Sequence, residues 1–196
     1  EDRKNQAEAS QYVDRLLTDI HGSLDLQQKT IERHEWILAE LNSALKMISS
    51  GNLTEEARAE FSHKVFQIYE WQRMSIINGT LEELLSSGKL ANIKSPQMRN
   101  GIIEFHAWTE VNEGRVANLV TSLMSDFEAL VPLLDRAYNE QILRNPLSDF
   151  QDHTVIFRHL RSAVDVHEAL LRWNKQVHEE TIKFRDFLQS QGYNTQ

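Results

Sequence analysis

Glu60-Phe61-Ser62-His63 is the stretch that places two metal-ligating side chains at helical spacing. Residues i and i+3 share a helix face, so Glu60 and His63 could reach one ion together. A di-iron bundle needs such a Glu-x-x-His pair on each of two helices, plus further inward carboxylates. The pair occurs once, which leaves half a site. The helical zinc spacings His-x-x-x-His and His-Glu-x-x-His do not occur. With no cysteine, thiolate zinc sites, disulfides and thiol nucleophiles all drop out. Neither a glycine-rich phosphate loop nor a Gly-x-Ser-x-Gly elbow is present. A Ser–His–Asp set would have to converge in space without a strained elbow to present the serine. The expectation is a non-enzyme, with no catalytic residue, metal or cofactor.

Binding chemistry has more candidates. His34 lies on the apolar stripe of the first helical segment, and Gln27 lies on the same stripe two turns earlier. A polar side chain forced toward a core needs a partner there. The pair therefore reads either as a hydrogen-bonded layer that fixes helix register or as a pH-sensing or ligand pocket between helices. His167 and His178, near one another in azimuth, are expected at the solvent edge. Trp36, Trp71, Trp108 and Trp173 fall one per helical arm. They read as core anchors or, alternatively, as the walls of an aromatic ligand cavity. In that cavity Trp71 and Trp108 would face a ligand, and Arg73 or Arg99 would be the anionic ligand's counterpart.

The elements that must position these residues are helices. Val13, Leu17, Ile20, Leu24, Ile31, Leu38, Leu41, Leu45 and Ile48 recur at steps that keep one helical face. Gly22 sits inside this segment as a local weak point, and Gly51-Asn52 ends it. Thr54 caps a second segment expected over 55–76, which Asn78-Gly79 breaks. Thr80 with Glu83 forms a capping-box signature for a short helix over 81–87. Gly88 follows as a helix stop, Leu90 and Ile93 tuck inward, and Ser95-Pro96 restarts a helix as N-cap and first residue. A third stripe runs Ile102, Phe105, Trp108, Val111, Val116, Leu119, Leu123, Phe127, Leu130, Leu134, with Pro132 kinking or ending it. After a polar stretch over 139–152, a fourth stripe runs Ala163, Val166, Leu170, Trp173, Val177, Phe184, Phe187.

The central punctuation carries a resemblance. Thr80-x-x-Glu83-Leu84-x-x-Ser87-Gly88-x-Leu90-x-x-Ile93, then Met98-Arg99 and Ile102-x-x-Phe105, resembles the central motif of a family of uncharacterised bacterial proteins. The opening Glu1-Asp2-Arg3-Lys4, with Tyr12-Val13-x-Arg15-Leu16-Leu17-x-Asp19-Ile20, is similar to the segment that follows that family's membrane span. The resemblance covers residues 1 to 135. It implies one N-terminal membrane-spanning helix before residue 1, an all-helical domain facing the periplasm, and no assigned function. The capless, polar start at Glu1 fits a chain that begins inside a longer helix.

Composition agrees with helices. Seven glycines and three prolines in 196 residues are few for a fold rich in turns. A net charge of −8 supplies no phosphate-neutralising patch, so nucleic acid is not an expected partner. No apolar run is long enough to span a bilayer. The expected fold is all-α: an elongated antiparallel four-helix bundle, one domain over 1–196, with one arm broken into two pieces around residues 76–95. The expected function is a non-catalytic interaction or scaffold module with a protein partner, a homodimer being one form the pairing could take. Contacts are expected at a distal tip near Gly51 and 139–152. The alternative is a ligand-binding sensor domain of a signalling protein.

Overall fold

The structure is a computed structural model that describes residues 2–50, 54, 56–70, 74, 76–130 and 154–191. Every regular element among them is helical, and no strand occurs. The fold is an all-α bundle. Helix α1 spans Asp2–Ser49, α2 Arg58–Phe66, α3 Gly79–Ser86, α4 Pro96–Leu130 and α5 Thr154–Ser190. Two 3₁₀ turns, Gln67–Tyr69 and Lys89–Asn92, follow α2 and α3.

The chain divides into two compact units. The first holds Glu1–Thr30, Met74–Arg115 and Asn174–Gln196, and the second Ile31–Arg73 and Val116–Trp173. Each has its own core. In the first, Val13, Leu16 and Ile20 of α1 pack with Leu81 and Leu84 of α3, Met98 and Ile102 of α4, and Leu188 of α5. In the second, Ile37, Leu41 and Ala44 pack with Phe61, Val65, Leu123, Leu160 and Ala163.

Several expected boundaries hold because they rest on local chemistry. Gly88 adopts φ +71, ψ 3, the left-handed conformation that a glycine reaches without a Cβ clash. Ser95 Oγ accepts from Met98 N at 3.1 Å, capping α4 with Pro96 as its first residue. Thr54 is not the N-cap expected of it: its Oγ1 accepts from Ala57 N at 3.3 Å in a turn, and α2 begins only at Arg58, with Ala57 as its N-cap and no side-chain cap.

Others change. Of the helix expected over 55–76, the described residues are α-helical over Arg58–Phe66. It tightens into the 3₁₀ turn, and the chain turns extended at Glu70. The connector is then held by α1: Ile77 N donates to Ser23 Oγ at 2.8 Å. The capping box is also replaced. Helix α3 starts two residues earlier, at Gly79, with no side-chain cap of its own. Thr80 N donates to Asp19 Oδ2 of α1 at 3.1 Å, so the anion at this helix start comes from another helix.

Two of the glycines inside helices mark close approaches. A Cβ on Gly22 would lie 2.9 Å from Ile77 Cδ1, and one on Gly101 would overlap the Phe187 ring. In the first unit α4 and α5 therefore run antiparallel, with Gly101 against Phe187 and Phe105 stacked on Phe184 at 4.0 Å.

The inward faces of α4 and α5 follow a seven-residue repeat. At about 100° per residue, Asn112 falls about 20° from Phe105, whereas Val111 falls about 120° away. Asn112 is accordingly buried and Val111 is 62% exposed, which corrects the expected stripe. On α5 the buried row is Leu160, Ala163, His167, Leu170, Asn174, Val177, Thr181, Phe184, Leu188. Val166, Trp173 and Phe187 flank it, half-buried.

Candidate functional site

The repeat on α5 places a polar side chain at every seventh core position: His167, Asn174 and Thr181. Two of them meet the polar residues singled out on α1. In the first unit Gln27 Nε2 donates to Thr181 Oγ1 at 3.2 Å. In the second unit the rings of His34 and His167 lie 5.6 Å apart between centroids, tilted by 49°. Gln27 and His34 thus take part in separate constellations, one in each unit.

The histidine pair has a defined proton order. His167 Nε2 lies 3.4 Å from the Ile68 carbonyl oxygen, which can only accept, so Nε2 carries the hydrogen. His167 Nδ1 is then the acceptor, and His34 Nδ1–H donates to it across 3.4 Å. Both rings are neutral in this order. Burial, reinforced by the neighbouring His34, pushes the His167 imidazole down to about 4. The expectation that His167 sits at the solvent edge is corrected: it is fully buried, while His178 is half-buried.

The anionic-ligand candidates divide. Trp71 and Arg73 lie outside the described residues. Arg99 Nη1 donates to the carbonyls of Ile93 and, at 3.2 Å, Lys94, so this guanidinium nitrogen ties down the connector before α4. Trp108 is half-buried and stacks on Phe105 at 6.3 Å, one end of a ladder that continues through Phe184 to Phe187. Trp36 is not a core anchor. It is 38% exposed, with the Arg33 guanidinium 4.1 Å from its ring centroid and Arg33 paired with Glu70. Glu60 and His63 are both exposed, and Glu60 lies 3.5 Å from Lys64. Among the described residues no group of three or more His, Cys, Asp or Glu side chains is placed to hold a metal ion.

Two further constellations join charged and polar side chains that lie far apart in the sequence. In the first unit Tyr12 OH donates to Glu83 Oε1 and accepts from Lys89 Nζ at 2.7 Å. Arg15 Nη2 donates to Glu83 Oε2 at 2.7 Å, and Lys89 also pairs with Glu8 at 2.9 Å. The Tyr12 hydroxyl, then Arg15, hold the Glu83 carboxyl below its usual range, and Tyr12 and Glu8 hold Lys89 up. In the second unit buried Asp126 accepts from His159 Nδ1 at 2.8 Å and from Ser162 Oγ at 2.7 Å. The serine is on the carboxylate rather than on the imidazole, so this is not a nucleophile–base–orienter order.

No protein-family model, curated protein or solved structure matches the chain. Its chemistry is therefore read from its own geometry. Nearly every acid, base and cation described above is engaged with another side chain or a carbonyl of the same unit. Such pairs fix helices against one another. Among the described residues, no helix is long and apolar enough to cross a membrane.

Proposed function

We propose that this chain is a non-catalytic helical interaction module, the extracytoplasmic part of a membrane-anchored bacterial protein, and that it docks helix to helix through the outer face of α4. The observation that carries the docking face is an uncharged row on that helix. Ile103 is 47% exposed and Val111 62% exposed. Ala107, between them, and Gly114, beyond them, are exposed as well. Spacings of three and four keep these residues on one stripe. Large apolar side chains left in water at such spacing favour a contact surface. Gly114 has nothing within 4 Å of where a Cβ would sit, which leaves room for a close helix approach.

A second copy of the chain is the simplest partner, because a row of this kind is self-complementary about a two-fold axis. Membrane attachment and the periplasmic side are supported by the resemblance carried by Thr80–Phe105 and the opening segment. The distal-tip contacts expected near Gly51 and over 139–152 lie outside the described residues. Nucleic acid is disfavoured as a partner by the net charge of −8.

Light scattering after size-exclusion chromatography tests the proposal. Wild type should run above the 22.8 kDa monomer mass at high concentration, and Val111→Glu should return to it with unchanged helical circular dichroism. Equal masses for the two proteins at every concentration would count against the docking face. The sensor alternative draws support from one observation: Gln27 Oε1 and several other buried polar atoms of the first unit have no protein partner.

A further inference from the structure

The core of the first unit holds polar atoms that the protein leaves unpaired. Gln27 Nε2 donates to Thr181 Oγ1, which in turn donates to the Val177 carbonyl at 2.8 Å. Gln27 Oε1 is buried without a protein partner, and so are Asn112 Nδ2, Asn174 Nδ2 and His178 Nδ1. Gln27, Asn112 and Asn174 are 0%, 5% and 2% exposed. Asn174, His178 and Thr181 occupy successive turns of one face of α5, spanning about 10 Å along the axis. Gln27 is tied to that face by Thr181. Continuing the antiparallel register of Gly101 against Phe187 and Phe105 against Phe184 brings Asn112 beside Val177, between Asn174 and His178. The unpaired atoms thus lie along one polar layer about 10 Å long in the core of the first unit.

A buried donor or acceptor without a partner destabilises the folded state, and several in one small core would do so together. The layer offers two amide donors, one amide acceptor and an imidazole nitrogen, and none carries a permanent charge. An ion would lose its hydration there without a counter-charge. A small neutral molecule that both donates and accepts fits, and water does so in the least space. His178 is half-buried, which leaves the layer a side toward solvent. We infer that ordered waters occupy this layer and pair with Gln27 Oε1, the side-chain nitrogens of Asn112 and Asn174, and His178 Nδ1. The site is an internal hydration site and does not depend on the docking face.

Water-selective nuclear Overhauser spectra of the full ¹⁵N-labelled chain test it, with native mass spectrometry alongside. Cross-peaks at the water frequency are expected on the side-chain amides of Asn112 and Asn174. Asn174→Leu should weaken the Asn112 peak and unfold at an equal or higher urea concentration, since an apolar replacement removes a donor that needs a partner. The wild-type spectrum stands by itself if that variant does not fold. Absence of water contacts on both amides, or an organic molecule retained in the native mass spectrum, would overturn the inference.

Discussion

The Nδ1 atoms of His34 and His167 face one another at 3.4 Å in a core where neither ring reaches solvent. Only one of the two can carry a hydrogen without repulsion, so the contact works while both rings are neutral. Above pH about 6.5 the unfolded chain is also neutral at this residue, and the pair costs nothing by titration. As pH falls, the unfolded histidine binds a proton first, while native His167 resists until about 4. Its folded value is depressed, so stability is lost as pH falls through that window. At about 1.4 kcal/mol per pH unit, the loss reaches about 3 kcal/mol. Urea unfolding at pH 7 and pH 4.5 should show a smaller difference for His167→Leu than for wild type. An identical difference would show that the pair does not titrate this way.

His34→Ala removes the donor to His167 and opens a small cavity. The expected loss is about 2–4 kcal/mol, read from urea midpoints at pH 7. No small molecule should be lost in native mass spectrometry. A ligand released by the substitution would instead make His34 a binding residue.

Gly101→Ala separates propensity from packing. In an exposed helix the change stabilises by up to about 1 kcal/mol. Here the new methyl meets the Phe187 ring, and overpacking of this kind costs about 1–3 kcal/mol. A fall in Tm is expected, with recovery when Phe187→Leu is added. A rise in Tm for the single variant would mean that the α4–α5 approach is looser than described.

Asp126→Ala leaves both His159 Nδ1 and Ser162 Oγ without their acceptor. The expected cost is about 2 kcal/mol, and it should shrink when His159 and Ser162 are replaced by Phe and Ala in the same chain. Equal costs in both backgrounds would show that the three side chains are not coupled.

What could be read in the sequence was local. Gly88 and Ser95-Pro96 act through their own backbone and nearest turn, so their roles are visible without tertiary knowledge. Long stripes were visible too, but their phase was not. Val111 is apolar and Asn112 polar, and hydropathy alone favours the wrong one. The seven-residue repeat from Met98 through Ile102, Phe105 and Asn112 to Val116 decides it. Thr80 and Glu83 have capping-box spacing, yet Asp19 takes the Thr80 amide, and Tyr12 with Arg15 takes the Glu83 carboxylate. Those partners come from 61 to 71 residues away, a distance that local rules do not reach. Gln27 and His34 are legible as core polar residues; His167 and Thr181 are not, because hydropathy favours Val166 over His167 and skips Thr181, although Ala163, Leu170, Val177 and Phe184 of the same stripe are buried.

A photo-crosslinking residue at position 111 tests the docking face most directly. Incorporated in the full-length protein in its own cells, with Arg172 on the exposed side of α5 as the control position, it should give discrete higher-mass protein adducts from 111 and none from 172. Adducts at neither position, or equally at both, would contradict the account.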